Sequence, residues 1–141
     1  MASVMKADPR QHCTVVAAQE GLSQSYKAGD LLQFSGGQVI IATAGYIHAI
    51  ALEDATGTQN TETMVELIDS NTAYVTPYKA STTALATSMH VIHDFVFTLG
   101  GHTLDENGAT TDCYVVGTLD PWGTTSGKLI WKVKPAATIH G

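Results

Sequence analysis

Apolar and polar positions change places along most of the chain with a period close to two, in short runs closed off by Gly, Pro, Asn or Asp. The clearest stretch is Tyr26 to Ala55. Leu31, Leu32 and Phe34 predict one strand, ended by Ser35-Gly36-Gly37. Gln38 to Thr43 predicts a second, ended by Ala44-Gly45, and Tyr46 to Leu52 a third. Val, Ile and Phe between Gly-rich breaks favour a pleated surface over a helix. The expectation is a three-stranded meander that buries Leu31, Phe34, Ile40, Ile47 and Ile50.

The same pattern recurs on both sides. Cys13 to Ala18 predicts a strand, followed by a turn over Gln19 to Gln24 that carries Glu20-Gly21. Met64 to Ile68 sets Val65 and Leu67 against Glu66 and predicts a half-exposed strand. Ala73 to Tyr78 predicts another, with Pro77 at an edge or a bulge. His90 to Thr98, Asp112 to Leu119 and Lys128 to Val133 predict the strands of the second half. Asn107-Gly108 is the strongest hairpin signal among them, since both residues tolerate positive φ. Glu53 to Thr63 is a polar loop, long for a small domain. Lys79 to Ser88 is rich in Ala, Thr and Ser and fits either a loop or one helical turn. No amphipathic helical stretch stands out. The chain is expected to be all-β, a single compact β-barrel or β-sandwich of short antiparallel strands. Residues 1–12 lack either period and predict an extended N-terminal arm, which leaves 13–141 as the β domain.

Composition sharpens this. Charged residues make up 14% of the 141 positions, against about 25% in an average domain. Thr, Ser, Gly, Asn and Gln dress the surface instead, as in proteins that meet other proteins broadly and in plain β-sandwiches. The net charge is −6, and the cations that cluster are Lys128, Lys132 and Lys134, on one face of a predicted strand. Phosphate neutralisation needs more than that, so nucleic acid is not an expected partner. Cys13 and Cys113 are far apart and in no metal or redox spacing. Two free, partly buried thiols are expected rather than a disulfide scaffold. No apolar run is long enough to span a membrane as a helix, and the N-terminus lacks a signal-type apolar stretch. The protein is therefore expected to be soluble and made in the cytoplasm.

Candidate chemistry is sparse. His90, His93 and Asp94 suggest a metal site, but on a strand residues three apart point to opposite faces. His12, His48, His102 and His140 are scattered. Glu53-Asp54 and Asp105-Glu106 sit in polar turns, where such residues bond to nearby backbone. Asp54, Asp105 and Asn107 match only part of a calcium loop. Neither a nucleophile-elbow motif nor a phosphate loop is present. One of Trp131 and Ile130 must face the core, whereas Trp122, in a Pro-Gly turn, is the aromatic placed for a partner or a sugar. No catalytic, metal or cofactor-binding residues are expected.

Several of these segments together resemble a known pattern. Lys27-Ala28-Gly29-Asp30-Leu31-Leu32, Gly37-Gln38-Val39, Ala42-Thr43 and Ile47 to Ala55 resemble the capsid decoration (cement) proteins of tailed bacteriophages. Cys113 to Gly117, Asp120-Pro121 and Lys128 to Val133 are similar to their closing hairpin. The chain has His48-Ala49 where that pattern more usually has glycine, which predicts looser packing of the third strand. The resemblance covers about half the chain. It implies a non-enzymatic virion protein on the capsid surface, a homo-oligomer with a trimer favoured, whose partner is the assembled major capsid protein. It further implies contacts from the arm (Val4, Met5, Arg10, His12), from the 53–63 loop (Thr56) and from Trp122. Two other readings stay open: a tail-tube or head–tail connector component, and a carbohydrate- or receptor-binding module built on Trp122 and the same loop. A metal-dependent hydrolase at His90 and Asp94 has the least behind it.

Overall fold

Among the described residues, two β-sheets account for nearly all the regular structure. The computed structural model describes residues 4–8, 10, 11, 13–42, 46–77, 94–97, 104, 105, 113–119, 128–135 and 138. The first half of the chain supplies β1 (Met5–Lys6), β2 (Val15–Glu20), β3 (Leu31–Ser35), β4 (Gln38–Ile41), β5 (Ala49–Ala51) and β6 (Glu62–Leu67). The remainder supplies β7 (Tyr74–Pro77), β8 (Asp94–Phe97), β9 (Leu104–Asp105), β10 (Cys113–Thr118) and β11 (Lys128–Val133). Strands β2–β4–β3–β5–β6 close into a barrel, and β1–β7–β11–β10–β8–β9 form a six-stranded sheet. The chain is all-β, as the alternation predicts.

Inside the barrel the period of two does the sorting. Val16 and Ala18 of β2, Leu32 and Phe34 of β3, Val39 and Ile41 of β4, Ala49 and Ala51 of β5, and Val65 and Leu67 of β6 gather into one cluster with Tyr26. The turn from β3 to β4 has φ of 57° at Gly36 and 81° at Gly37, the two-residue hairpin geometry whose twist matches its strands. Gly21 is required for another reason. A Cβ there would lie 2.6 Å from Ile40 Cγ2 and 3.0 Å from the Val39 carbonyl, so only glycine lets β2 leave the barrel beside β4.

The predicted meander is corrected. Strand β3 lies in the middle, pairing with β4 on one edge and with β5 on the other, through Leu31 opposite Ile50 and Leu32 opposite Ala49. Strand β4 ends at Ile41 and β5 begins only at Ala49, a separation longer than a tight hairpin uses, which lets β5 pair on the far edge of β3. That leaves the outer edge of β4 to β2. The two pair in parallel at Gln19–Gln38 and Glu20–Val39, so the barrel strands are not antiparallel throughout. Strand β2 also runs on through Gln19 and Glu20, where a turn was expected.

A second apolar layer lies outside the barrel. Leu31 and Ile50 point away from the interior yet are 0% and 6% exposed, and Ile47 and Ile68 are equally buried. Of the other predicted core residues, Phe34 and Ile40 are only half-buried. On the sheet, Tyr74 faces Trp131 in register with their rings 5.3 Å apart, and Trp131 and Val133 are fully buried. Several contacts tie the sheet to the barrel. The Val4 amide donates to the Gly29 carbonyl (3.0 Å), and the Asp69 amide donates to the Tyr74 hydroxyl (3.2 Å). Lys6 Nζ lies 3.3 Å from Glu66 Oε1. Strand β10 pairs back onto β8 and also onto β11, with an irregularity between Val115 and Gly117. Pro77 ends β7 beyond Tyr74 and Val75, the two residues that pair with β1, so it breaks no ladder there.

Candidate partner-binding surface

Two of the segments that resemble the decoration-protein pattern, Lys27 to Asp30 and Ile50 to Ala55, meet in space. Lys27 to Asp30 forms a β-turn in which the Asp30 amide donates to the Lys27 carbonyl, with Gly29 at φ 93°. The Asp30 carboxylate accepts from the Lys27 amide at 2.9 Å. The turn then docks on the end of β5 and the residues that follow it. The Gly29 amide donates to the Ala51 carbonyl (2.8 Å), and the Ala51 amide donates to the Asp30 carbonyl (2.9 Å). The Ala28 amide donates to Asp54 Oδ1 (2.9 Å), with Lys27 Nζ 3.7 Å from Asp54 Oδ2. Lys27-Ala28-Gly29-Asp30 and Ile50 to Ala55 are thus two halves of one hydrogen-bonded corner.

The 53–63 loop is held from inside the barrel by a residue that the sequence did not single out. Glu20 is 1% exposed at the end of β2, on the inward row of Val16 and Ala18. Its carboxylate accepts from the Thr56 amide (2.9 Å), the Thr56 hydroxyl (2.9 Å) and the Gly57 amide (2.6 Å). Burial alone would raise its pKa, but these three donors outweigh burial and hold it below the ordinary 4.5. The available signal was the continuation of the alternation through Glu20, masked by the turn-like Glu20-Gly21 pair. Glu53, considered as an acid/base candidate, accepts from the Met64 amide (3.1 Å) and the Thr63 hydroxyl (3.3 Å). Both members of Glu53-Asp54 therefore fix backbone. Among the described residues no group of three His, Cys, Asp or Glu side chains could hold a metal ion.

His48 also has a clear role. Its Nδ1 accepts the Phe34 amide at 2.9 Å, and its ring stacks on Phe34. Burial lowers its pKa from 6.5, which favours the neutral ring that this acceptor role needs. The looser packing predicted at His48-Ala49 does not occur: Ala49 is fully buried, and the His48 amide donates to the Leu32 carbonyl at 3.0 Å.

The outer face of β2, β6 and β5 carries exposed apolar residues side by side. In register, Val15 faces Glu66, Ala17 faces Met64 and Gln19 faces Glu62. The Leu52 amide donates to the Met64 carbonyl, which adds Leu52 to the row. Val15, Leu52 and Met64 are 47%, 43% and 36% exposed. The result is an apolar row on hydrogen-bonded strands, bordered by Glu53, Glu62 and Glu66.

The expected partner residues fall in different places. Val4 is buried at 4% exposure beside the barrel, so its side chain is not on the surface, whereas Met5 is 55% exposed. Arg10 is exposed and bonds to Asp8 within its own turn. Thr56 is exposed, with its amide and hydroxyl directed to Glu20. His12 and Trp122 lie outside the described residues, as do His90, His93, His102, Asn107-Gly108 and Lys79 to Ser88. Cys13 is a free, half-buried thiol with Sγ 3.7 Å from Thr72 Oγ1. The face on β2, β6 and β5 was not anticipated, because Val15, Leu52 and Met64 read as ordinary strand residues until their register is known. Comparison of the chain with protein-family models, curated proteins and solved structures finds no match.

Proposed function

We propose that the chain is a virion structural protein. It decorates the outer surface of an assembled major capsid protein lattice, as a homo-oligomer with a trimer favoured, and stabilises the head. The observation that carries this reading is the exposed apolar row Val15–Ala17–Met64–Leu52, set on barrel strands whose other side is a packed core. A face of this kind offers a pre-ordered surface that loses little conformational freedom on docking. The decoration-protein resemblance supplies the partner, and the corner joining Lys27–Asp30 to Ile50–Ala55 gives the resembling residues a shared structural purpose. Binding that requires the assembled lattice would stabilise only the assembled state, which is what a cement protein does.

Co-sedimentation with capsid shells of the cognate phage tests this. The parent protein is expected to pellet with shells and to remain in solution with unassembled capsid subunits. Met64→Glu places a charge at the centre of the row, at a position already 36% exposed. It should leave the fold intact and weaken shell binding by about tenfold or more. Equal pelleting of parent and variant would remove this face from the account, and no pelleting of the parent would remove the function.

A further inference from the structure

We propose that β2 is a strand acceptor. The backbone edge at Val15 and Ala17 takes an extended segment of a partner protein, one with apolar residues alternating with lysine or arginine. Hydrogen-bond parity divides the residues of β2 into two sets. The Leu67 amide donates to the Thr14 carbonyl and the Glu20 amide to the Thr61 carbonyl, so Thr14, Val16, Ala18 and Glu20 are the positions that bond to β6. In an antiparallel pair the residues between them direct their amide and carbonyl the other way. For Gln19 that other side is occupied by β4. For Val15 and Ala17 no described strand fills that lane: β4 begins at Gln38, just after the Gly36-Gly37 turn, and pairs with β2 at Gln19 and Glu20. Among the described residues no hydrogen bond reaches that edge of Val15 or Ala17, and both residues are exposed.

An unpaired, exposed and apolar strand edge is a template for an added strand. An incoming strand would lie about 4.8 Å from β2, in the lane that β4 fills further along. Its inward side chains would meet Val16 and Phe34, which are only partly buried at that end of the core. Its outward side chains would lie beside Val15 and Ala17. The small side chain of Ala17 leaves room for a long cation to cross β2 toward Glu62 and Glu66, which stand opposite Gln19 and Val15 on β6. Glu62 is exposed, and Glu66 already binds a cation of its own chain, Lys6, at 3.3 Å. The chain's net charge of −6 favours the same sign of partner. This deepens the decoration reading by naming the chemistry of the capsid segment, yet its test needs no capsid.

The test is amide exchange by NMR on the full chain, alone and with a synthetic peptide, acetyl-Lys-Val-Lys-Val-Lys-Val-amide, at millimolar concentration. In the free protein the Val15 and Ala17 amides should exchange about 100-fold faster than those of Val16 and Ala18. The peptide should slow Val15 and Ala17 by about tenfold or more. A version N-methylated on the amides of its pairing edge should not, and replacing its lysines with glutamates should weaken the effect by about tenfold at low salt. Ala17→Pro removes an amide that the β6 ladder does not use, and it should abolish protection at Val15. Slow exchange of Val15 and Ala17 in the free protein would overturn the proposal. So would absence of protection by the lysine peptide, or equal protection by the N-methylated peptide. Protection by the peptide with no binding to capsid shells would retain the acceptor edge and remove the capsid.

Discussion

Replacing Glu20 with Ala is expected to destabilise the protein by about 2–3 kcal/mol, because it removes the buried acceptor of three hydrogen bonds, and hydrogen bonds to a charged group are the stronger kind. The cause is local. One carboxylate inside the barrel holds Thr56 and Gly57, and through them the loop that closes that end. Glu20→Gln keeps the size but points an amide donor at one of these donors, and it should lose about 2 kcal/mol. In Glu20→Gln the Thr56 and Gly57 amides should lose their exchange protection while Leu32 and Val65 keep theirs. Unchanged protection at Thr56 and Gly57 would show that the loop is held by something else.

The same residue sets an acid dependence. The carboxyl of Glu20 sits below its ordinary 4.5 in the folded state, so its stabilisation is complete above that value. It is lost as the pH falls through the lower, folded value. His48 acts in the same direction at higher pH. Its folded pKa is below 6.5, so the unfolded chain binds the proton more readily and stability declines as the pH drops past 6.5. Unfolding free energy should thus fall in two steps on acidification, and Glu20→Gln should remove the lower one.

Trp131→Ala should have the largest effect of any single substitution, about 3–5 kcal/mol by chemical denaturation. Trp131 is fully buried and packs against Tyr74, whose hydroxyl accepts the Asp69 amide. Trp131 and Tyr74 lie on the paired strands β11 and β7, and Val133 is buried on the same strand as Trp131, so a cavity there removes packing from both strands at once. Trp131→Phe, which refills most of the volume, should lose about 1–2 kcal/mol. A loss below about 1 kcal/mol for Trp131→Ala would mean that the packing around Trp131 contributes little to the stability of the fold.

What could be read from the sequence follows from what alternation encodes. Lys128 to Val133 appears as predicted, with Trp131 on its buried face, because a period-two pattern ended by Pro135 admits few other readings. Gly36-Gly37 likewise marks its hairpin directly. Strand order does not follow from such signals. Leu31 and Leu32 are adjacent and both fully buried, which tells that β3 is covered on two sides but not by which strands. A buried carboxylate such as Glu20 is legible only when its donors are known, and they come from a loop 36 positions on. The contact face depends on the register of β2 with β6, which no local motif specifies.

The decoration account is tested most directly by counting copies of the protein in purified virions against the major capsid protein. A shell-wide cement protein should be present at about one copy per capsid subunit, arranged as trimers over the lattice. About six or twelve copies per particle would place the protein at the connector or tail, and its absence from the particle would contradict the account altogether.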